Sequence, residues 1–251
     1  MKRSGSRLLF PLVILVVLGF SACQELGVGP NVLAKPGGGS AATTSPGGSG
    51  LTSAEAAGGL KEALTVGSGK AVASVGKTDG YFQNALIRIL LPPEVRQYES
   101  ALRMAGLGSQ VDAFVLSMNR AAERAAPQAK TLLWDAIKQM SFADVWRILR
   151  GRENEATLYF KEKTEGRLSD LFRPIVHQAM GEVGVTNQYQ RLSGQLGALS
   201  LGRFQAPDLD RYVTGKALDG LFLMLAEEEK DIRRNPAARV TSLLQKVFGS
   251  K

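Results

Sequence analysis

Apolar residues recur at helical spacing most regularly between residues 207 and 248. One row in this stretch consists of five apolar side chains: Leu218, Leu221, Phe222, Leu225 and Ile232. Residues three and four apart share one face of a helix, so this row predicts a long amphipathic helix. Asp208 or Asp210 can cap its start, and Asn235-Pro236 is expected to close it. A short C-terminal helix is predicted beyond the proline, with an apolar face made of Leu243, Leu244, Val247 and Phe248.

Helical patterns also cover the rest of residues 51–251. TSAE (52–55) and SFAD (141–144) have the spacing of a capping box, in which two helix-end donors are satisfied reciprocally. Pro127 interrupts a strong helical pattern and predicts a break just before it. Residues 87–89 alternate and favour a short extended piece, but no segment shows the long alternation of a strand. We therefore predict an all-α fold, a single multi-helix bundle of about nine helices.

The first 22 residues have the composition of a bacterial signal peptide. Lys2, Arg3 and Arg7 provide a basic start, and an apolar run from Leu8 to Phe20 follows. A run of this length is too short to span the hydrocarbon core of a membrane, which needs about 20 residues. We therefore expect residues 1–22 to direct export and not to anchor the protein.

Cys23, the only cysteine of the chain, follows directly. FSAC (20–23) resembles the lipobox of bacterial lipoproteins, in which the cysteine is acylated on sulfur and becomes the mature N-terminus. Each buried acyl methylene contributes about 0.8 kcal/mol, so two or more chains hold a protein on the membrane. The alternative is an ordinary secretory signal with an incidental cysteine. Residues 23–50 also contain a Gly/Ser/Pro-rich stretch, which predicts a flexible linker.

Gln24, at the position after the cysteine, refines the expected location. A residue other than Asp at this position resembles the pattern of lipoproteins exported to the outer membrane. We therefore expect the protein in the cell envelope, lipid-anchored at the periplasmic face of the outer membrane. The membrane itself is then the first expected partner, through the lipid anchor.

The net charge of +8 excludes few classes of function. Three cations lie in the first 22 residues, which leaves +5 for a remainder in which bases and acids are interleaved. A solvated mixed-charge surface is the main interpretation, and a basic patch for anionic lipid or nucleic acid is the alternative. Basic residues do not alternate with aromatic ones, so we expect no nucleic-acid partner. One cysteine and one histidine exclude a Cys/His zinc site within a single chain, and we expect neither metal nor cofactor.

Known catalytic motifs are missing from the sequence: GxSxG, GxxxxGK[ST], HExxH and the EF-hand loop do not occur. His177 lies two residues after Ile175 in an apolar helical pattern, which favours a partly buried structural histidine. In the acidic triplet 227–229, Glu229 can pair with Arg233 and Glu227 with Lys230. We interpret these two glutamates as a solvated helix face.

Glu228 differs from its two neighbours because it lies three residues after Leu225 and four before Ile232, within the apolar row. A buried carboxylate must be paired or protonated. We therefore hypothesise a buried polar network around it, formed by residues that border apolar faces: Glu228, Asn119, Arg120, Glu123, Asp219 and Arg239. Its role can be structural, part of a ligand pocket, or general acid/base catalysis.

Several segments together are similar to a known family. They are GLKEAL (59–64) with the following VGKxDG (75–80), SMNRAAERAAPQAK (117–130), DAIKQMSFADVWRIL (135–149) and the long stretch 216–249. This set resembles the bacterial lipoprotein family named domain of unknown function 4197, over essentially all of residues 51–251. The resemblance implies a helical, envelope-located protein and carries no established activity.

Three functional hypotheses remain open at the level of sequence. The first is a membrane-anchored periplasmic module that binds an envelope protein, a lipid or peptidoglycan. The second is a carrier or sensor of a lipid-like molecule in an apolar helical pocket. The third is an envelope hydrolase that uses two carboxylates about 5–10 Å apart. The oligomeric state is not indicated by any pattern.

Overall fold

The described part of the chain is built from helices and irregular segments, without a strand. The computed structural model describes residues 52–182, 189–191, 193–195, 197, 205–235, 245 and 247. Eight α-helices have their bounds in these ranges: α1 (Ser53–Gly76), α2 (Pro93–Arg96), α3 (Glu99–Met104), α4 (Gly108–Ala125), α5 (Ala129–Lys138), α6 (Phe142–Arg150), α7 (Glu155–Glu182) and α8 (Leu209–Arg234). The described residues between 189 and 197, and positions 245 and 247, are helical as well. A 3-10 helix, Ala126–Gln128, joins α4 to α5. The all-α prediction is confirmed.

Helix α8 is the central element, and it packs chiefly on α7 and α1. All five members of the predicted apolar row are buried. Helix α4 in turn packs on α7 and α8, so the four longest helices share one core. The largest fully buried side chains include Tyr81, Phe114 and Phe172, which come from three different parts of the chain. A single core thus unites segments that are distant in sequence.

Local signals set the helix ends where the sequence predicts them. Both capping boxes are formed: the Glu55 amide donates to Thr52 Oγ1 at 3.2 Å, and the Asp144 amide donates to Ser141 Oγ at 3.2 Å. The Asp208 carboxylate accepts from the Arg211 amide and so caps α8. At Pro127 the helical pattern changes to the 3-10 turn, which confirms the predicted break.

The segment between α1 and α2, residues 77–92, is irregular and crosses both α4 and α8. It leaves α1 through Asp79, which has a positive φ of 65°. Gly80 follows, and a Cβ there would lie 2.5 Å from the carbonyl oxygens of Ser74 and Val75. The side chains of residues 86–91 then alternate in burial, and this stretch includes the alternation predicted at 87–89. The piece begins as a turn and not as extended chain, because the amides of Ile87 and Arg88 donate to the carbonyl oxygen of Asn84. Ile87, Ile89 and Leu91 are buried, whereas Leu86, Arg88 and Leu90 face outward.

Several predictions fall outside the described residues. These are the signal peptide (1–22), Cys23, the linker to residue 50 and most of the helix expected after Pro236. Of that last helix only positions 245 and 247 are described, and Val247 is nearly buried. Among the helices that the structure does describe, none combines the length and the apolar character needed to cross a membrane.

Candidate functional site

The most deeply buried carboxylate of α8 belongs to Glu229, which is 7% exposed. Its oxygens accept hydrogen bonds from the backbone amides of Ala156 and Thr157, at 3.0 and 2.9 Å, and from Thr157 Oγ1 at 3.0 Å. These amides belong to the second and third residues of α7, so Glu229 caps a helix other than its own. A negative charge at a helix N-terminus is also favoured by the helix dipole.

Arg233 completes the group around Glu229. Its guanidinium donates to Glu229 Oε1 at 2.8 Å and to the carbonyl oxygen of Ile148 in α6 at 2.8 Å. The predicted pairing of Glu229 with Arg233 is therefore confirmed, but its interpretation as a solvated face is wrong. We call Glu229, Arg233, Thr157 and Ala156 the α7 clamp. It joins α6, α7 and α8 at one point.

Glu228 takes no part in this clamp. Both Glu228 and Glu229 fit the apolar row by spacing, since each lies three or four residues from Leu225 and Ile232. The direction of α7 decides between them, because only Glu229 faces its free amides. Glu228 instead lies beside α1, where its Cβ is 3.9 Å from the position of a Cβ on Gly67. Within the described residues it makes no hydrogen bond or ion pair with Asn119 or Arg120.

The surroundings of Glu228 disfavour its charged form. Partial burial raises the pKa of its carboxyl above the ordinary value, and Asp231 raises it further. Lys70 on α1 acts in the opposite direction. Glu228 is therefore a half-buried acid that is poorly compensated among the described residues, and its predicted contact with Arg239 lies outside them.

A second buried carboxylate, Glu123 of α4, is 4% exposed. Its Oε1 accepts from the backbone amides of Tyr81 and Phe82, both at 3.1 Å. Its Oε2 accepts from Arg120 at 2.6 Å, and the same guanidinium donates to Asp79 at 2.6 Å. The hydrogen bond to Glu123 is the main cause that raises the pKa of Arg120. We call Glu123, Arg120, Asp79 and the two amides the loop clamp.

Two further buried polar groups hold the 77–92 segment. The side chain of Asn119 bonds both backbone groups of Ile89 at 2.8 Å, as a neighbouring peptide would. Tyr81 donates its hydroxyl to the carbonyl oxygen of Ala217 in α8 at 2.6 Å. Burial, and to a smaller degree the Glu123 carboxylate, raises the pKa of Tyr81, so the hydroxyl stays protonated. The segment is thus tied to α4 and α8 at several points.

The remaining residues that the sequence singles out lie elsewhere. Asp219 is largely exposed and pairs with Lys216 at 3.2 Å, and Arg239 lies outside the described residues. His177 is not partly buried: its side chain is 75% exposed, and Nδ1 lies 2.7 Å from Asp210 on α8. Of the six residues proposed for one network, the structure joins Arg120 and Glu123 directly. Asn119 holds the same segment through separate bonds.

A groove between the 77–92 segment and α8 is the candidate binding site. It has a volume of about 290 Å³. Its walls carry three exposed leucines and three cations: Leu86, Leu90, Leu223, Arg88, Arg96 and Lys216. Tyr212, Gly220, Ile87 and Asp219 complete the lining. Sequence reasoning missed this site. Its one local signal is the alternation at 86–91, which puts leucine and arginine on one outward side.

The floor of the groove is held by direct contacts. The Tyr212 hydroxyl donates to the carbonyl oxygen of Leu90 at 3.1 Å. Gly220 allows the 77–92 segment to approach α8, because a Cβ there would lie 2.6 Å from Tyr81 and 3.1 Å from Ile87. The groove is therefore formed before any ligand arrives.

The two buried glutamates are poorly suited to proton transfer. Each accepts two backbone amides and an arginine, so its lone pairs already have donors. Among the described residues, no three or more histidine, cysteine, aspartate or glutamate side chains are grouped so that they could hold a metal ion. Within that part of the chain, the arrangement is suited to holding helices and to binding at the groove.

The fold and these sites define an all-α bundle whose buried acids fasten its segments and whose described surface carries a groove with exposed leucines and cations. The model of a protein family of unknown function, DUF4197, matches residues 50–249. The chain belongs to this family, as the resemblance in the sequence predicts. No curated protein and no solved structure matches it.

Proposed function

We propose that the protein is a membrane-anchored binding module of the bacterial cell envelope. In this proposal Cys23 carries the lipid anchor, residues 24–50 form the tether, and the helical domain binds its ligand at the groove. The observation that carries the binding role is the groove itself. Of the five large hydrophobic side chains that are exposed in the described residues, three lie on it: Leu86, Leu90 and Leu223. Exposed apolar patches of this kind mark interaction sites.

The other two hypotheses have less support. A carrier with an enclosed cavity needs several hundred Å³ of space. The apolar spaces between α1, α7 and α8 measure only about 10 and 20 Å³. A hydrolase with two carboxylates needs acids that can exchange protons, and Glu123 and Glu229 are both saturated with donors. These observations favour binding at the surface groove.

The anchor is tested by blocking lipoprotein processing. Globomycin is expected to cause the precursor to accumulate, and Cys23→Ser is expected to abolish acyl labelling and release the protein from washed membranes. Normal processing in globomycin, or a Cys23→Ser protein that remains membrane-bound, would remove this part of the proposal.

The groove is tested by placing a photo-crosslinking amino acid at position 86 in the full chain and irradiating cells. Position 104 provides the matched control, because Met104 is exposed to a similar degree and does not line the groove. We expect a crosslinked product from position 86 that is lost in an Arg88→Gln/Arg96→Gln background. Equal products from both positions would show that the groove has no special binding role.

A further inference from the structure

We infer that the groove binds a single-chain amphiphile with an anionic head, of the alkyl phosphate or fatty-acid class. This inference rests on the proposed binding function and adds the chemical class of the ligand. The cations of the groove would bind the head, and the leucines would cover the chain.

Two cations of the groove form no salt bridge within the described residues, although Arg88 lies near enough to Asp112 to help lower the pKa of that carboxyl. Arg88 and Arg96 have no carboxylate within 4 Å in that part of the chain, whereas Lys216 already pairs with Asp219. Arg88 is held by stacking, with its guanidinium carbon 4.4 Å from the centroid of the Phe82 ring. Stacking occupies the face of the guanidinium and leaves its N–H edge free to bind an anion. Three cations and one acid therefore favour an anionic ligand.

Apolar and cationic groups alternate at short distance along the groove. Leu86, Arg88 and Leu90 follow one another on the outward side of the 77–92 segment. The first step is compact, because the amides of Ile87 and Arg88 both donate to the carbonyl oxygen of Asn84, at 3.2 and 2.9 Å. A ligand that fits both groups must carry its charge directly beside an apolar chain. Amphiphiles have this structure, whereas an acidic peptide spreads its charges along a polar backbone.

The size of the groove favours one chain. A volume of about 290 Å³ lies at the lower end of the range for small-molecule sites, which is about 300–1,000 Å³. Two acyl chains of a membrane phospholipid would exceed it. The groove is also concave, which suits a ligand that enters from solution better than a bilayer surface. We therefore assign it to a monomeric amphiphile.

The test uses the full chain in nanodiscs of zwitterionic lipid and two photoreactive probes. One is an alkyl phosphate with a diazirine in its chain, and the other is an alkyl maltoside of the same chain length. Both are used below their micelle concentrations, and labelled peptides are located by mass spectrometry. We expect the alkyl phosphate to label residues 86–96 and 212–223 about tenfold more than the maltoside, a difference of about 1.4 kcal/mol.

Two pairs of variants separate the contributions of head and chain. Arg88→Gln/Arg96→Gln should reduce labelling by the alkyl phosphate to the level of the maltoside. Arg150→Gln/Arg167→Gln should leave it unchanged, because this pair removes the same charge from exposed arginines outside the groove. Leu223→Ser should weaken labelling by both probes, and Met104→Ser should not. Circular dichroism shows whether each variant is folded.

Competition with the wild-type protein decides the ligand class. Dodecyl phosphate should displace the photoreactive phosphate, whereas inorganic phosphate or an acidic peptide at equal concentration should not. Displacement by inorganic phosphate would show that the groove binds anions in general. Equal labelling by the maltoside would show that the groove binds the alkyl chain alone and does not recognise the charged head. Stronger displacement by the peptide would assign it to a protein partner. Each of these results overturns the inference.

Failure of the inference can be told apart from failure of the proposed function. If the crosslinker at position 86 gives products in cells but neither probe labels the groove, the groove binds a ligand of another class. If neither experiment gives a product, both proposals are wrong.

Discussion

The two clamps use the same chemistry for different purposes. In each, a nearly buried glutamate accepts two consecutive backbone amides and an arginine from its own helix. The α7 clamp closes the first turn of a 28-residue helix, and its Arg233 is 11% exposed and also bonds α6. The loop clamp holds an irregular segment, and its Arg120 is 33% exposed and reaches Asp79.

This difference separates global stability from the shape of the groove. The α7 clamp is shared by three helices of the core, so its loss should affect the whole bundle. The loop clamp fastens the segment that forms one wall of the groove, so its loss should act mainly there. A buried glutamate that accepts two amides can therefore stabilise the whole bundle or one segment, depending on whether the amides belong to a core helix or to a loop.

The largest effect is expected for Glu229→Ala. This change removes the carboxylate that pairs with the largely buried Arg233 and leaves two helix amides without an acceptor. Removing one member of a buried ion pair costs about 3–5 kcal/mol. Urea unfolding followed by circular dichroism should show a loss of this size. Glu227→Ala is the control, since Glu227 is exposed and 3.8 Å from Lys230, and should change stability by less than about 0.5 kcal/mol. Equal effects would contradict the assignment of the α7 clamp.

A smaller and more local effect is expected for Glu123→Ala. Leaving buried donors unsatisfied costs about 1–3 kcal/mol. Hydrogen exchange should become faster at the amides of Tyr81 and Phe82, while those of Ala156 and Thr157 stay protected. Glu229→Ala should instead expose the amides of α7 first at low denaturant. If both variants lose protection from hydrogen exchange at the same amides, the two clamps are not independent.

The approach of the 77–92 segment to α8 is tested by two glycines of the same helix. Gly220→Ala places a Cβ 2.6 Å from Tyr81, and overpacking of this kind costs about 1–3 kcal/mol. Gly215→Ala meets no atom within 4 Å and should stabilise by up to about 1 kcal/mol, because alanine favours helix. The measurement is the melting temperature of both variants. Shifts of the same sign would contradict the close contact at Gly220.

The smallest effect is expected for Glu228→Gln, and it depends on pH. The folded protein raises the pKa of Glu228, so the charged form opposes folding. The free energy of unfolding should fall as the pH rises from the pKa of Glu228 in the unfolded chain, about 4.3, through its raised pKa in the folded protein. Glutamine removes this penalty, so the variant should be more stable than the wild type by a few tenths of a kcal/mol at pH 7. Below pH 4 the two proteins should be equal, and a gain that persists there would point to packing instead.

Features set by neighbouring residues could be predicted from the sequence. The apolar row of α8, the Asp208 cap and the break at Pro127 all follow from residues within one or two turns. The sequence could not show whether Glu228 or Glu229 is the buried acid, because both spacings fit the apolar row. The amides that decide between them lie 72–73 residues away. Likewise the alternation at 86–91 is visible, but the side that faces outward depends on Asn119 in α4.

The α7 clamp has a consequence for the newly made chain. The amides at the start of α7 lie 72–73 residues before Glu229, the residue that accepts their hydrogen bonds. A chain that ends before residue 229 therefore lacks this acceptor, and the first turn of α7 is expected to fray in it. A fragment cut short before residue 229 should be readily cleaved there by protease. The last quarter of the polypeptide thus sets the moment at which the bundle can close.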